Sequence, residues 1–189
     1  MSQEAAEKWN NRYSGEIKPG LKTPRQLLID YQDILPIQGR AVDIAMGLGN
    51  NANYIQKRGI DVIGIDISFK AALMAKQNFP NLSIIVANLE EFDLSSQTFD
   101  LILNFYYFQR NLVQQYPLML NPGGLLFVET LHEDFLSIKP EINRDYLVSK
   151  GELAETFSNL EILHYFEGWL PTHSNKQKYV AQVVARKKQ

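Results

Sequence analysis

The sequence predicts an α/β fold built on a mostly parallel, seven-stranded sheet, and three observations carry that prediction. Five short apolar runs alternate with segments of helical period, the pattern left by βαβ crossovers. A glycine-bearing loop, Gly47-Leu48-Gly49, follows the first run and opens a helical segment. Beyond residue 150 the rhythm changes to two strands joined directly by a polar turn, an antiparallel hairpin that closes the sheet.

Residues 4–12 read as a short polar helix. Thr23-Pro24 reads as a second helix start, a capping hydroxyl and a first-turn proline leading to Leu27, Leu28, Tyr31 and Leu35. Ala41–Ala45 is the first strand, and a helix through Tyr54 and Ile55 follows the glycine loop. Asp61–Asp66 is the second strand, with Ser68 placed to cap a helix over Phe69–Asn78. Leu82–Ala87 and Phe99–Asn104 supply the third and fourth. A helix around Leu112–Leu120 stops at Asn121-Pro-Gly-Gly124, ahead of the fifth strand, Leu125–Thr130. Asn159–Trp169 and Lys178–Arg186 form the hairpin around the turn Pro171–Gln177.

At 189 residues the chain is long enough for one domain with a sizeable core. Apolar residues make up 45% and charged residues 21%, a balance that argues against disorder. Net charge is −2, and the only basic cluster is the terminal Arg186-Lys187-Lys188, so binding driven by a phosphate backbone is not expected. The absence of cysteine removes disulfides, thiolate zinc sites and cysteine nucleophiles. His132, His164 and His173 have no metal-ligand spacing. With a polar, acidic start and no bilayer-length apolar run, the expectation is a cytoplasmic protein with no membrane partner, monomeric or homodimeric.

The glycine loop has two readings. Gly47-x-Gly49-x-x-Ala52, with Asp66 ending the next strand, satisfies the pattern of a nicotinamide-cofactor site. Yet Asp43 lies inside the strand just before the loop, where a carboxylate repels pyrophosphate and attracts a cationic amino-acid group. Asn88, after the third strand, offers a side-chain amide to an adenine edge. The terminal hairpin, and the short stretch left after the fourth strand, also leave little room for a second mononucleotide half.

These features together resemble class I S-adenosylmethionine-dependent methyltransferases. The first motif of that family reads here as Asp43-x-Ala45-x-Gly47-x-Gly49, with alanine in place of the first glycine. Asp66 matches the ribose-binding acid, Asn88 with Leu89 the adenine position, and Asn121–Thr130 the fifth strand with its turn. Within that class the chain is similar to the small tellurite-resistance (TehB-like) methyltransferases. The similarity rests on Trp9-Asn-Asn-Arg-Tyr13, Thr23-Pro-Arg-Gln-Leu27, Tyr107-Phe-Gln-Arg110, Glu129-Thr130 and Asn143–Leu153.

The resemblance implies a Rossmann-like three-layer α/β/α sandwich over residues 1–189, with cap helices over 1–35 and a lid or substrate insertion over 131–157. It implies S-adenosyl-L-methionine as cofactor, held by Asp43, Ala45, Gly47, Gly49, Asp66, Ile67, Asn88 and Leu89, with the backbone at Asn104 and Phe105 on its amino group. Trp9, Tyr13, Tyr106, Tyr107, Arg110, Thr130, Asn143 and Tyr146 are candidates for the small-molecule methyl acceptor, with Arg12 and Arg144 beside them. Tyr107, Arg110, Tyr146 and His132 are the candidates for a part in the chemistry. Phe105 and Phe108 are expected to pack the core. No general base stands out, which favours a soft sulfur, selenium or tellurium nucleophile. A non-catalytic cofactor-binding protein and a nicotinamide-dependent oxidoreductase stay open as alternatives.

Overall fold

The computed structural model describes residues 2–17, 21–94, 96–172 and 176–189. The five apolar runs become β1 (Arg40–Ile44), β2 (Asp61–Asp66), β3 (Ser83–Val86), β4 (Phe99–Phe105) and β5 (Leu120–Leu131). The hairpin supplies β6 (Glu161–Pro171) and β7 (Gln177–Arg186). All seven join one sheet in the order β3-β2-β1-β4-β5-β7-β6, with β1 to β5 parallel and β7 antiparallel to both of its neighbours. The expected mostly parallel sheet with a terminal antiparallel hairpin is what forms.

Alternation along each strand splits the core in two. Val42, Ile44, Ile102, Leu126 and Val128 face one layer with Tyr116, Leu153 and Phe157. Ala41, Val62, Leu101, Leu103 and Phe127 face the other with Leu27, Leu28 and Ile55. The central strands are covered on both sides, so they read as near-continuous apolar runs. Strand order reverses between β1 and β4. A crevice for ligands opens at such a switch point, beyond the carboxyl ends of the strands.

The helices are α1 (Ser2–Arg12), α2 (Gln26–Asp30), α3 (Asn50–Gln56), α4 (Phe69–Asn78), α5 (Arg110–Val113), α6 (Tyr116–Met119) and α7 (Glu152–Thr156). Ser68 caps α4 as expected, its Oγ accepting the Ala71 N–H at 3.1 Å. Two expected elements differ. α2 begins after Arg25 rather than at Pro24, because Asn51 Oδ1 accepts the Arg25 N–H at 2.9 Å and holds that residue extended. The helix expected around Leu112–Leu120 is two short turns, with Pro117 opening the second. The segment Asn121–Gly124 does not precede β5 but lies inside it, bulged between the pairs Phe99–Leu120 and Leu101–Leu125.

Candidate functional site

The loop between β1 and α3 is built on left-handed backbone. Ala45, Gly47 and Gly49 have φ of 53, 57 and 73°. Glycine adopts that region without strain, whereas an L side chain there costs roughly 1 kcal/mol, so Ala45 carries strain at the foot of the loop. Asp66, at the end of β2, ties the loop down. Its Oδ2 accepts the Gly47 N–H at 2.7 Å and its Oδ1 accepts the Ser68 N–H at 2.8 Å. Burial raises the Asp66 carboxyl, and the N–H groups of Ser68, Gly47 and Ile67 pull it back down. Each oxygen keeps a lone pair for a further donor, which suits a pair of ribose hydroxyls.

Asp43 sits beneath the loop, almost wholly buried. Its Oδ2 accepts the Ala52 N–H at 3.1 Å, pinning the first turn of α3 to β1. Burial pushes its carboxyl up to about 7, Ala52 counteracts and the charge of Asp66 adds to the rise. It does not pair with Arg40, whose own partners are Asp100 and Gln97. As placed here, Asp43 shapes the loop from below. Asn88 does two things: its Oδ1 accepts the Glu90 N–H at 3.2 Å, capping a turn, while its Nδ2 is buried with no partner. An orphaned amide donor at the expected adenine position fits an acceptor nitrogen on a base edge. Leu89 beside it is buried.

Across the switch point, β4 ends in Asn104 and Phe105, both buried, and then in Tyr106 with φ of 62°. A left-handed tyrosine is an outlier held by its surroundings. Its N–H donates to the Glu129 carbonyl at 2.7 Å, and its phenol is raised by burial and then by Glu129. Tyr106 is therefore committed to the α2 side of the sheet, against Arg25 and Lys178. Tyr107 turns the other way and donates to Gln109 Oε1 at 2.8 Å; burial, Glu90 and Tyr146 hold its phenol protonated. Below it the Asn104 amide donates to Tyr116 Oη at 2.7 Å, leaving Asn104 Oδ1 unpaired. Phe108 packs the core as expected.

Two segments cover this crevice. α1 lies over the start of α4: Asn10 Oδ1 accepts from Ser68 Oγ at 2.9 Å and from the Lys70 N–H at 3.1 Å, and the Lys70 ammonium bonds Ser14 Oγ. A Cβ on Gly47 would come within 2.7 Å of the Tyr13 hydroxyl, so Tyr13 rests on the glycine that the loop motif requires. Burial and the Asp66 charge lift the Tyr13 phenol to about 12. Trp9 stands beside Tyr13 with ring centroids 6.4 Å apart, Arg12 lies over Trp9, and the Lys8 ammonium is 5.5 Å from the Tyr146 ring.

The second cover is the insertion between β5 and β6. Here Arg110 does not face the crevice with a free guanidinium. It grips Glu152 through Nε at 2.7 Å and Nη2 at 3.0 Å, and donates to the carbonyls of Asp145 and Leu147. Burial opposes ionisation of Glu152, but Arg110 and Ser149 together lower its carboxyl. Asn143 caps a turn through the Asp145 N–H, and Tyr146 is exposed. Thr130 is buried near the carboxyl end of β5, opposite Ala181. His132 is also buried: its Nδ1 accepts the Asp134 N–H at 3.1 Å, its Nε2 is 3.8 Å from Glu167, and its ring lies against Tyr179. His164 lies within β6, and His173 falls outside the described residues.

Sequence reasoning passed over three residues here: Asn10, Arg25 and Glu129. They lie in the segments Trp9–Tyr13, Thr23–Leu27 and Glu129-Thr130, and each takes its place from a partner distant along the chain. A hollow of about 550 Å³, lined by Gly39, Asp100, Gly124 and Arg186 among others, opens at the opposite end of the strands. Ligand chemistry belongs at the carboxyl ends, so that hollow is not the site.

Residues 41–124 match the family model described as a methyltransferase domain. An uncharacterized methyltransferase of Alkaliphilus oremlandii is 27% identical over 166 residues, which cover 79% of this chain and 76% of that protein. The fold is also that of TehB from Haemophilus influenzae, with a TM-score of 0.70 and 18% identity over 97% of this chain and 67% of that one. The N-methyltransferase NodS from Bradyrhizobium japonicum WM9, in complex with S-adenosyl-L-homocysteine, superposes with a TM-score of 0.69 at 13% identity, covering 97% of this chain and 98% of that one. At such identities the structural likeness is one of fold.

Proposed function

We propose that this chain, whose residues 41–124 match a methyltransferase domain, is a class I S-adenosylmethionine-dependent methyltransferase that methylates a small molecule through a soft sulfur, selenium or tellurium atom. The cofactor supplies a methyl group on a positively charged sulfur, an electrophile that needs no activation by the protein. The residues around the crevice hold and orient. Asp66 accepts from ribose hydroxyls, the orphaned Asn88 amide and the Leu89 backbone meet the adenine, and Gly47 gives close approach. The backbone at Asn104 and Phe105 takes the amino group. The acceptor enters between Tyr107 and Tyr146, and α1 closes over both ligands with Trp9 and Tyr13.

The observation that carries the choice of acceptor is the state of the nearby bases. His132 spends Nδ1 on the Asp134 N–H and turns Nε2 toward Glu167. Tyr107 is held protonated. A thiol or selenol that ionises on its own needs no base, whereas a neutral amine or hydroxyl usually does. Placement then does the work: alignment of the reacting atoms and exclusion of water.

The test is transfer of a labelled methyl group to a panel of thiols, selenols, tellurium oxyanions, amines and phenols, read across neutral to alkaline pH. The expected result is methylation of the soft acceptors, with a rate that follows each acceptor's own ionisation. Methylation of amines or phenols alone would contradict this choice while leaving the methyltransferase scaffold intact.

A further inference from the structure

We infer that Arg25 is the clamp for the carboxylate at the amino-acid end of the cofactor, an inference that rests on the methyltransferase reading. Arg25 stands where the two halves of the switch point meet. Its N–H donates to the buried Asn51 Oδ1 at 2.9 Å, in the first turn of the helix that follows the glycine loop. Its guanidinium carbon lies 4.5 Å from the centre of the Tyr106 ring, the residue that ends β4 with left-handed backbone. Its positive charge is felt by Asp43 under the loop and by Tyr13 over it. One side chain therefore bridges the loop after β1, the end of β4 and the cover above them.

That guanidinium has a platform but no counter-ion. Among the described residues, Arg110 and Arg186 face carboxylates and Arg40 and Arg58 reach an amide or carbonyl oxygen, but no carboxylate lies within ion-pair distance of Arg25. The Lys178 ammonium lies 4.3 Å from the same Tyr106 ring, adding a second positive charge. The Tyr106 ring is partly buried, its backbone N–H tied to the Glu129 carbonyl at 2.7 Å, which seats it against the two cations. A planar fork of donors, fixed by stacking and left with its hydrogens unspent, matches a carboxylate through two parallel hydrogen bonds. The buried Asp43 below provides the opposite charge for the ammonium of the same zwitterion.

The experiment is calorimetric titration of the full-length protein, wild type, R25Q and R25K, with two ligands. S-Adenosylhomocysteine carries the carboxylate, and 5′-methylthioadenosine keeps the nucleoside and sulfur but lacks the whole amino-acid end. We expect R25Q to weaken the first by about 10- to 100-fold, the range of a charge-assisted pair, and to leave the second unchanged. R25K keeps the charge without the fork and falls between. Equal weakening of both ligands would make Arg25 a prop for Tyr106 and α3 and overturn the assignment, as would no change in either. A wild-type protein that binds neither ligand would overturn the methyltransferase reading, and this one with it.

Discussion

The two covers of the crevice are held in opposite ways. The insertion between β5 and β6 is anchored in the domain core: Leu147, Val148, Leu153 and Phe157 are buried, and Phe157 stacks parallel to Tyr116 at 6.4 Å. Backbone bonds from Glu133 to Val148 and from Val148 to Leu131 tie it to the end of β5, and Arg110 and Glu167 strap it through Glu152 and Gly151. None of the described side chains of α1 is buried, and α1 is held over α4 through Asn10, Ser14 and Tyr13. Segments with few apolar contacts open at low free-energy cost, and segments with a packed core open only with the whole domain. This packing predicts that the insertion, expected from sequence to be the lid, opens less readily than α1.

Four changes break or sharpen that contrast. Phe157→Ala removes a fully buried ring from the insertion and should lower unfolding free energy by about 3–5 kcal/mol in a denaturant titration. Asp43 supports the floor under α1, and its effect is set by pH. Its folded-state carboxyl is raised to about 7, so the folded protein holds that proton more tightly than the unfolded chain. The contribution is full below about pH 4, the unfolded value, and is lost as pH rises through the folded value. Measured against Asp43→Asn, the wild type should lose about 2–4 kcal/mol of relative stability between those limits. A constant difference would remove Asp43 from the account.

Arg110→Ala cuts the strap of the insertion. The pair with Glu152 is partly exposed, which limits its worth, but the two carbonyls also lose their donor. A loss of about 1–2 kcal/mol is expected, with faster amide exchange confined to residues 144–152. Asn10→Ala cuts the contact of α1 with the start of α4. Its effect on unfolding should stay at about 0.5 kcal/mol, while amide exchange in α1 accelerates. An effect of Asn10→Ala on global stability as large as that of Arg110→Ala would erase the difference between the two covers.

Much of the fold was legible because it is locally encoded. The second strand and its following helix are bounded by residues that do the bounding themselves, Asp66 at one end and Ser68 as cap. The loop residues Gly47, Gly49 and Asp66 were legible because spacing alone brings them together. What escaped depends on partners far along the chain. Arg110 looks available for a substrate until Glu152, 42 residues away, takes its fork. Tyr106 and Tyr107 are neighbours, and only the left-handed turn at Tyr106 sends their rings to opposite faces. Arg25 lies in the segment Thr23–Leu27, whose residues say nothing of its partners. Its position comes from Asn51, and its orientation from Tyr106.

The most direct test of this account is amide hydrogen exchange of the wild-type protein with and without S-adenosylhomocysteine. The account predicts that the ligand slows exchange in α1 and in the loop after β1, while residues 144–157 are protected alike in both states. Slowing confined to the insertion, with α1 unaffected, would contradict it.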